Sequence, residues 1–166
     1  MTDELERRVA ALEQAMAALT STDRSDHADP AAEDDRFWLL QQVRDRHPDG
    51  AVVFGGTANL PEGEVAWQWG VPSDQLLEQD WEPAAGVFGA LAHPVRLQLL
   101  QQVLSGTTST AELGEGESPG TTGQLHHHLR ALVAGGWLTS TGRGRWSVPG
   151  PRIIPLLVMI TAASTR

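Results

Sequence analysis

Residues 91–149 read LAHPVRLQLLQQVLSGTTSTAELGEGESPGTTGQLHHHLRALVAGGWLTSTGRGRWSVP, and their punctuation decides the fold. Leu97, Leu100, Val103 and Leu104 recur at helical spacing, and Gly106 stops the run. Thr108 to Leu113 reads as a short second helix, followed by a Gly- and Pro-containing break at 114–120. A third helix is predicted from Thr121 to about Ala134, with Leu125, Leu129, Leu132 and Val133 on one stripe and Gly135-Gly136 at its end. The rest, Gly136 to Pro149, alternates as a strand, a Gly142-Arg143-Gly144 turn and a second strand through Trp146 and Val148.

Three helices followed by a hairpin form the pattern of a winged helix-turn-helix, whose third helix can enter a DNA major groove. On 100° spacing, Gly123, His127 and Arg130 project opposite the leucine stripe, with Thr122 and His126 flanking them. Gly123 lets backbone approach backbone. Thr121 can cap the helix and leave its first amides free for a phosphate. Thr122, Gln124, His126 and His127 can donate to base edges or phosphates, and Arg130 is placed for phosphate. In the wing, Arg143 and Arg145 can reach the backbone or the minor groove, while Trp137 and Trp146 pin the hairpin to the helices. The alternative for the same polar residues is a solvated surface.

The segments ALAHPVRLQLLQQVLSG, Thr110 to Leu113, TTGQLHHHLRALVAGGWL and RGRWSV resemble the arsenical-resistance-repressor (ArsR) family of winged-helix transcription regulators. The resemblance covers the C-terminal half. It implies a homodimeric DNA binder, with Thr121, Thr122, His126 and His127 at the family's reading positions and the helix after the wing in the dimer interface. Metal sensors of that family use cysteines near the second helix, or acidic and histidine residues in the last helix. Here the first place reads Ala111-Glu112-Leu113, and the last helix, from Arg152, has no His, Asp or Glu. The resemblance therefore implies a regulator without metal sensing.

The net charge of −9 taken as a total argues against nucleic acid, but the charge is unevenly placed. Residues 1–83 hold six Arg against eighteen acidic residues, for −12, and residues 84–166 hold six Arg against three Glu, for +3. Cysteine is absent, which removes disulfides and thiolate metal sites. His126, His127 and His128 point about 100° apart and cannot converge on one ion. His27 lies among Asp23, Asp26 and Asp29 in a polar stretch and reads as solvated linker rather than as a metal site. His93, ahead of Pro94, caps or packs at a helix start. With no basic-then-apolar leader and no unbroken apolar run of membrane length, a cytoplasmic, nucleoid-associated protein with no membrane partner is expected. No cofactor and no catalysis are expected: there is no paired His/Asp signature and no GxGxxG after a strand, and Ser118 has no evident base.

Ahead of the decisive stretch the chain falls into segments. Residues 1–20 carry Leu5, Val9, Leu12, Met16 and Leu19 at heptad spacing, either a dimerisation or intrachain packing helix or a frayed amphipathic tail. Residues 21–32 are a polar linker. Residues 33–82 are an extension. It starts with a helix over 33–47, with Phe37, Leu40 and Val43 inward and Trp38 and Leu39 broadening the stripe. A hairpin of Ala51 to Ala58 and Gly63 to Trp69 follows, then a helix from Ser73 to Gln79. A two-stranded hairpin is marginal alone, so it must lie against helices or pair across a dimer. Pro83 is expected to break the chain before a helix over 84–92. Residues 83–150 are the winged helix-turn-helix, and residues 151–166 an apolar helix that a dimer would bury best. Trp38, Trp67, Trp69 and Trp81 fill a core or interface, build a pocket for a small apolar or aromatic effector, or form a surface for another protein.

The expected class is thus α+β and mostly helical, with a C-terminal winged helix-turn-helix and an N-terminal helical and β-hairpin extension. The expected function is a homodimeric repressor reading an inverted repeat in double-stranded DNA. The alternative is a protein-interaction module on a winged-helix scaffold that does not bind DNA.

Overall fold

The computed structural model describes Arg8, residues 37–115 and residues 122–164. The expected helix over 1–20, the linker over 21–32, residues 33–36 and Thr121 lie outside the described residues, Arg8 apart. The chain divides into two units, Met1–Arg46 and His47–Arg166. In the first, helix α1 spans Trp38–Arg46 and has Arg44 and Arg46 in its last turn, where the helix dipole favours cations. Its expected inward face is not buried: Phe37 and Leu40 are exposed and Val43 only partly covered.

The second unit opens with an antiparallel hairpin, β1 (Ala51–Leu60) and β2 (Gly63–Pro72), in unbroken register from Ala51↔Pro72 to Leu60↔Gly63. The strands run longer than the alternation of Val65, Trp67 and Trp69 indicated, and the turn shrinks to Pro61-Glu62. Helix α2 (Ser73–Glu78) follows at once. Helix α3 spans Glu82–Leu91 and includes Pro83 in its first turn. The expected break at Pro83 is corrected: a proline there loses only an N–H that has no helical acceptor, and its fixed φ suits the helix. Grouped in sequence with α1, the hairpin instead shares a core with the C-terminal helices.

Helix α4 (Pro94–Leu104) starts on His93, whose Nδ1 accepts from the Val95 N–H at 3.2 Å. Helix α5 (Thr110–Gly114) starts on a capping box: the Glu112 N–H donates to Ser109 Oγ, and the Ser109 N–H to Glu112 Oε2. Helix α6 is Thr122–Ala134, and a second hairpin, β3 (Thr139–Gly142) and β4 (Arg145–Ser147), precedes helix α7 (Gly150–Ser164). The described chain is therefore mostly helical with two small antiparallel hairpins.

The core is one cluster. Leu99, Leu100 and Val103 from α4, Leu113 from α5, Leu125, Leu129 and Leu132 from α6, and Ile153 and Leu156 from α7 meet around Trp137 and Leu138. Each fully buried leucine contributes roughly 1.5–3 kcal/mol of burial free energy. Val133, expected on the stripe of α6, is exposed instead. The stripe there is narrower, being set by the i, i+4, i+7 positions 125, 129 and 132. On α7, Ile153, Ile154 and Leu156 are buried, while Ile160 is exposed.

Trp137, only 1% exposed, ties three elements together. Its Nε1–H donates to the Val87 carbonyl of α3 at 2.9 Å, and the Arg152 guanidinium of α7 lies 5.0 Å from its ring centre. The last turn of α6 passes so close to α3 that a methyl at Gly135 would collide with the Ala90 methyl. The adjacent Gly136 has φ +70° and more room around it.

Candidate nucleic-acid interface

The leucine row of α6 fixes which residues face outward. Thr122, Gly123, Gln124, His126, His127 and Arg130 are all exposed. Arg130 lies back along its own helix, its Nε–H donating to the His126 carbonyl at 3.3 Å. Thr121 lies outside the described residues. The third histidine turns the other way. The His128 ring packs on His93 with centroids 4.6 Å apart, and its Nδ1 is buried without a hydrogen-bond partner. Burial, and then the neighbouring His93, His127 and Arg96, hold the His128 pKa below its ordinary value. Among the described residues, no three His, Asp or Glu side chains are grouped so as to hold a metal ion.

The second hairpin is sewn to the start of α5. Ser109 makes a β-bridge with Arg145, and the Trp146 N–H donates to the Thr108 carbonyl at 2.9 Å. The Thr110 N–H and hydroxyl both donate to the Gly144 carbonyl, at 2.8 and 2.9 Å. The same hydroxyl oxygen accepts from Trp146 Nε1 at 2.9 Å. One threonine thus fixes both the apex and the base of the hairpin. Sequence reasoning did not single it out, and nothing in its neighbours signals a partner 36 residues away.

At the apex, Gly142 pairs with Arg145, leaving Arg143-Gly144 as the central residues, with Thr141 bulged between the paired positions 140 and 142. Arg143 has φ 53° and Gly144 φ 70°, the positive pair that a type I′ turn demands. Arg143 is the one non-glycine residue with positive φ among the described residues, and it is exposed. Arg145 is exposed beside it. The Ser109 hydroxyl and backbone N–H, with a smaller contribution from Arg145, lower the Glu112 pKa, so Arg145 acts on that carboxylate as well as outward.

Glu112 of α5 is the carboxylate that interacts with this group of residues, and their own stretch of chain holds none. Between Thr122 and Ser164 there is no Asp or Glu, while Arg130, Arg143, Arg145 and Arg152 all occur there. The chain has no lysine, so every fixed side-chain cation is a guanidinium, the group that pairs bidentately with phosphate and guanine.

Of the four indoles considered for an effector pocket, three belong to the second unit and Trp38 to the first. Trp67 and Trp69 lie on one face of β2, opposite Gly56 and Phe54, and both are exposed. The Trp81 indole donates to the Leu76 carbonyl at 2.9 Å, and Trp38 belongs to the first unit. A groove of about 400 Å³ lies between α4 and α7 and uses none of them. Leu60, Leu97, Leu100, Leu104, Leu156, Leu157 and Ile160 form its apolar wall, and Gln98, Gln101 and Ser105 its polar lip. The signal for it in the sequence is a second leucine row on α4, Leu97 and Leu104, beside the buried row at 99, 100 and 103. No helix among the described residues is long and apolar enough to cross a membrane. No family model, no curated protein and no solved structure matches the chain.

Proposed function

We propose that the protein is a sequence-specific double-stranded-DNA-binding transcription regulator of the ArsR-like winged helix-turn-helix type, acting as a homodimer on an inverted repeat. Helices α4, α5 and α6 form the trihelical part, α6 is the reading helix, and β3–β4 is the wing. Thr122, Gln124, His126 and His127 read base edges, and Arg130, Arg143 and Arg145 hold phosphate or the minor groove. The observation that carries this reading is Arg143. The turn needs a positive φ at this position, but glycine or asparagine would supply it with less strain than the exposed arginine held there at φ 53°. Strain of that kind gathers at functional positions. The carboxylate-free stretch around it supports the same reading.

Recovery of genomic fragments bound to the protein, followed by fluorescence anisotropy on a recovered site and a scrambled duplex, tests the proposal. A shared inverted-repeat sequence bound more tightly than the scramble is expected. Wild-type-like binding by the folded R130A/R143A/R145A variant would remove this surface from DNA recognition. The exposed apolar residues Val52, Trp67 and Trp69 on the first hairpin favour the second reading, a protein-interaction module. It would lead if no DNA fragment is enriched.

A further inference from the structure

The β1–β2 hairpin is a sheet of two strands, each ten residues long and paired without a bulge. Each strand therefore keeps one edge without a backbone partner among the described residues. Long, flat, unprotected edges template further pairing, and proteins that do not use them insert charge, proline or a bulge. The two edges differ in this respect. β2 carries Glu64 near the turn and ends on Pro72. β1 reads AVVFGGTANL, with no charge and no proline.

The charge-free stretch extends beyond the strand, from Gly50 through Pro61, between Asp49 and Glu62. In a chain of net charge −9, two copies repel wherever their acidic surfaces meet, and β1 offers backbone groups with no such penalty. An antiparallel strand pairs with itself across a two-fold axis, as a closed dimer requires. The hairpin also presents Val52, Trp67 and Trp69 on its α7-facing side, 52%, 36% and 55% exposed. Pairing through β1 would join two such faces into one broader apolar surface.

We propose that β1 is a dimerisation edge that pairs antiparallel with β1 of a second copy, giving a continuous four-stranded sheet in the order β2-β1-β1-β2. The inference builds on the homodimer of the proposed function and gives it a specific contact. It does not depend on DNA, so it stands or falls separately from DNA recognition.

The absence of cysteine makes the test clean. Single cysteines are placed on the side of β1 away from α7, at Val53, Gly55, Thr57 and Asn59, and on β2 at Ala66 and Gln68. Each full-length variant is oxidised mildly without DNA. In antiparallel self-pairing only positions beside the two-fold axis come within disulfide reach, and successive same-face positions move apart by about 13–14 Å. Crosslinked dimer should therefore peak at one β1 position, or equally at the two that flank the axis when an α7-facing residue lies on it, fall at the positions beyond, and stay low on β2. In parallel, T57K places a cation on an exposed β1 position and should weaken dimerisation by at least tenfold in sedimentation, with circular dichroism unchanged. A dimer with no β1 crosslinking peak, equal crosslinking on β2, T57K dimerising like wild type, or a stable monomer at micromolar concentration would each overturn the proposal.

Discussion

The turn at Arg143 allows strain and charge to be separated. A non-glycine L-residue in the left-handed region costs roughly 1–2 kcal/mol, and asparagine tolerates it best. Asn-Gly is also the preferred central pair of a type I′ turn. R143N should relieve most of that cost and stabilise the fold by about 1 kcal/mol, a rise of a few degrees in Tm for a unit of this size. R143A keeps the β-carbon in the same conformation and should leave stability near wild type. Both variants lose the guanidinium. If Arg143 contacts one phosphate in each half-site, both should flatten the salt dependence of DNA binding by about two units in the dimer. The assays are thermal melting followed by circular dichroism, and anisotropy titrations at several salt concentrations. Equal stability of R143N and R143A would refute the strain argument. An unchanged salt slope in both would remove Arg143 from the phosphate contacts.

Other substitutions test separate parts of the fold. T110V removes the hydroxyl shared by the Gly144 carbonyl and the Trp146 indole; it should cost roughly 1–3 kcal/mol in urea denaturation and speed hydrogen exchange in the β3–β4 hairpin. W137F loses the hydrogen bond to the Val87 carbonyl and part of the ring volume, for about 2–4 kcal/mol, measured the same way. T122A and H127A should each reduce discrimination between operator and scramble by roughly 1–3 kcal/mol for a lost base contact, with the salt slope preserved. His128 has a lowered pKa when folded, so the unfolded chain takes up its proton first as pH falls. Stability from this group is therefore intact above the ordinary histidine pKa of 6.5 and declines as pH drops below it. H128Q should flatten that decline in denaturation curves, and an unaltered pH profile would exclude His128 as its source.

Much of this architecture is local and was therefore legible. The leucine row 125, 129 and 132 and the punctuation at Gly106 and Gly135-Gly136 follow from periodicity and breakers, and the helices appear where those signals place them. The first hairpin follows from alternation around a polar turn, but its strand ends do not, because pairing continues through Val71 to Pro72, a residue without an N–H that sequence patterns do not mark as strand. Pro83 does not break the chain because it occupies the first turn of α3, a placement that sequence punctuation alone does not distinguish from a helix interior. Long-range contacts were out of reach for a different reason. Trp137 finds Val87 across 50 residues, and Thr110 finds Trp146 across 36, and neither pairing leaves a periodic trace. The candidate reading face was legible as a face, since exposure opposite a buried row is geometric. The inward turn of His128 onto His93 depends on where α4 lies and was not.

Gly135 and Gly136 are neighbours with unrelated reasons to be glycine, and this bears on how the sequence can drift. Position 136 is held by its dihedral angle, with Arg152 the nearest side chain at 3.6 Å, so asparagine is the natural alternative there. Position 135 is held by occupied space: any side chain meets the Ala90 methyl, and Trp137 lies 3.1 Å from where it would begin. Drift at 135 is therefore conditional on position 90. Ala90→Gly opens a path to Gly135→Ala that is closed while Ala90 remains, and the reverse order passes through a clashing intermediate. The two positions, distant in the chain, are thus coupled by size, with a preferred order of substitution, while Gly136 beside them is governed by its own dihedral angle.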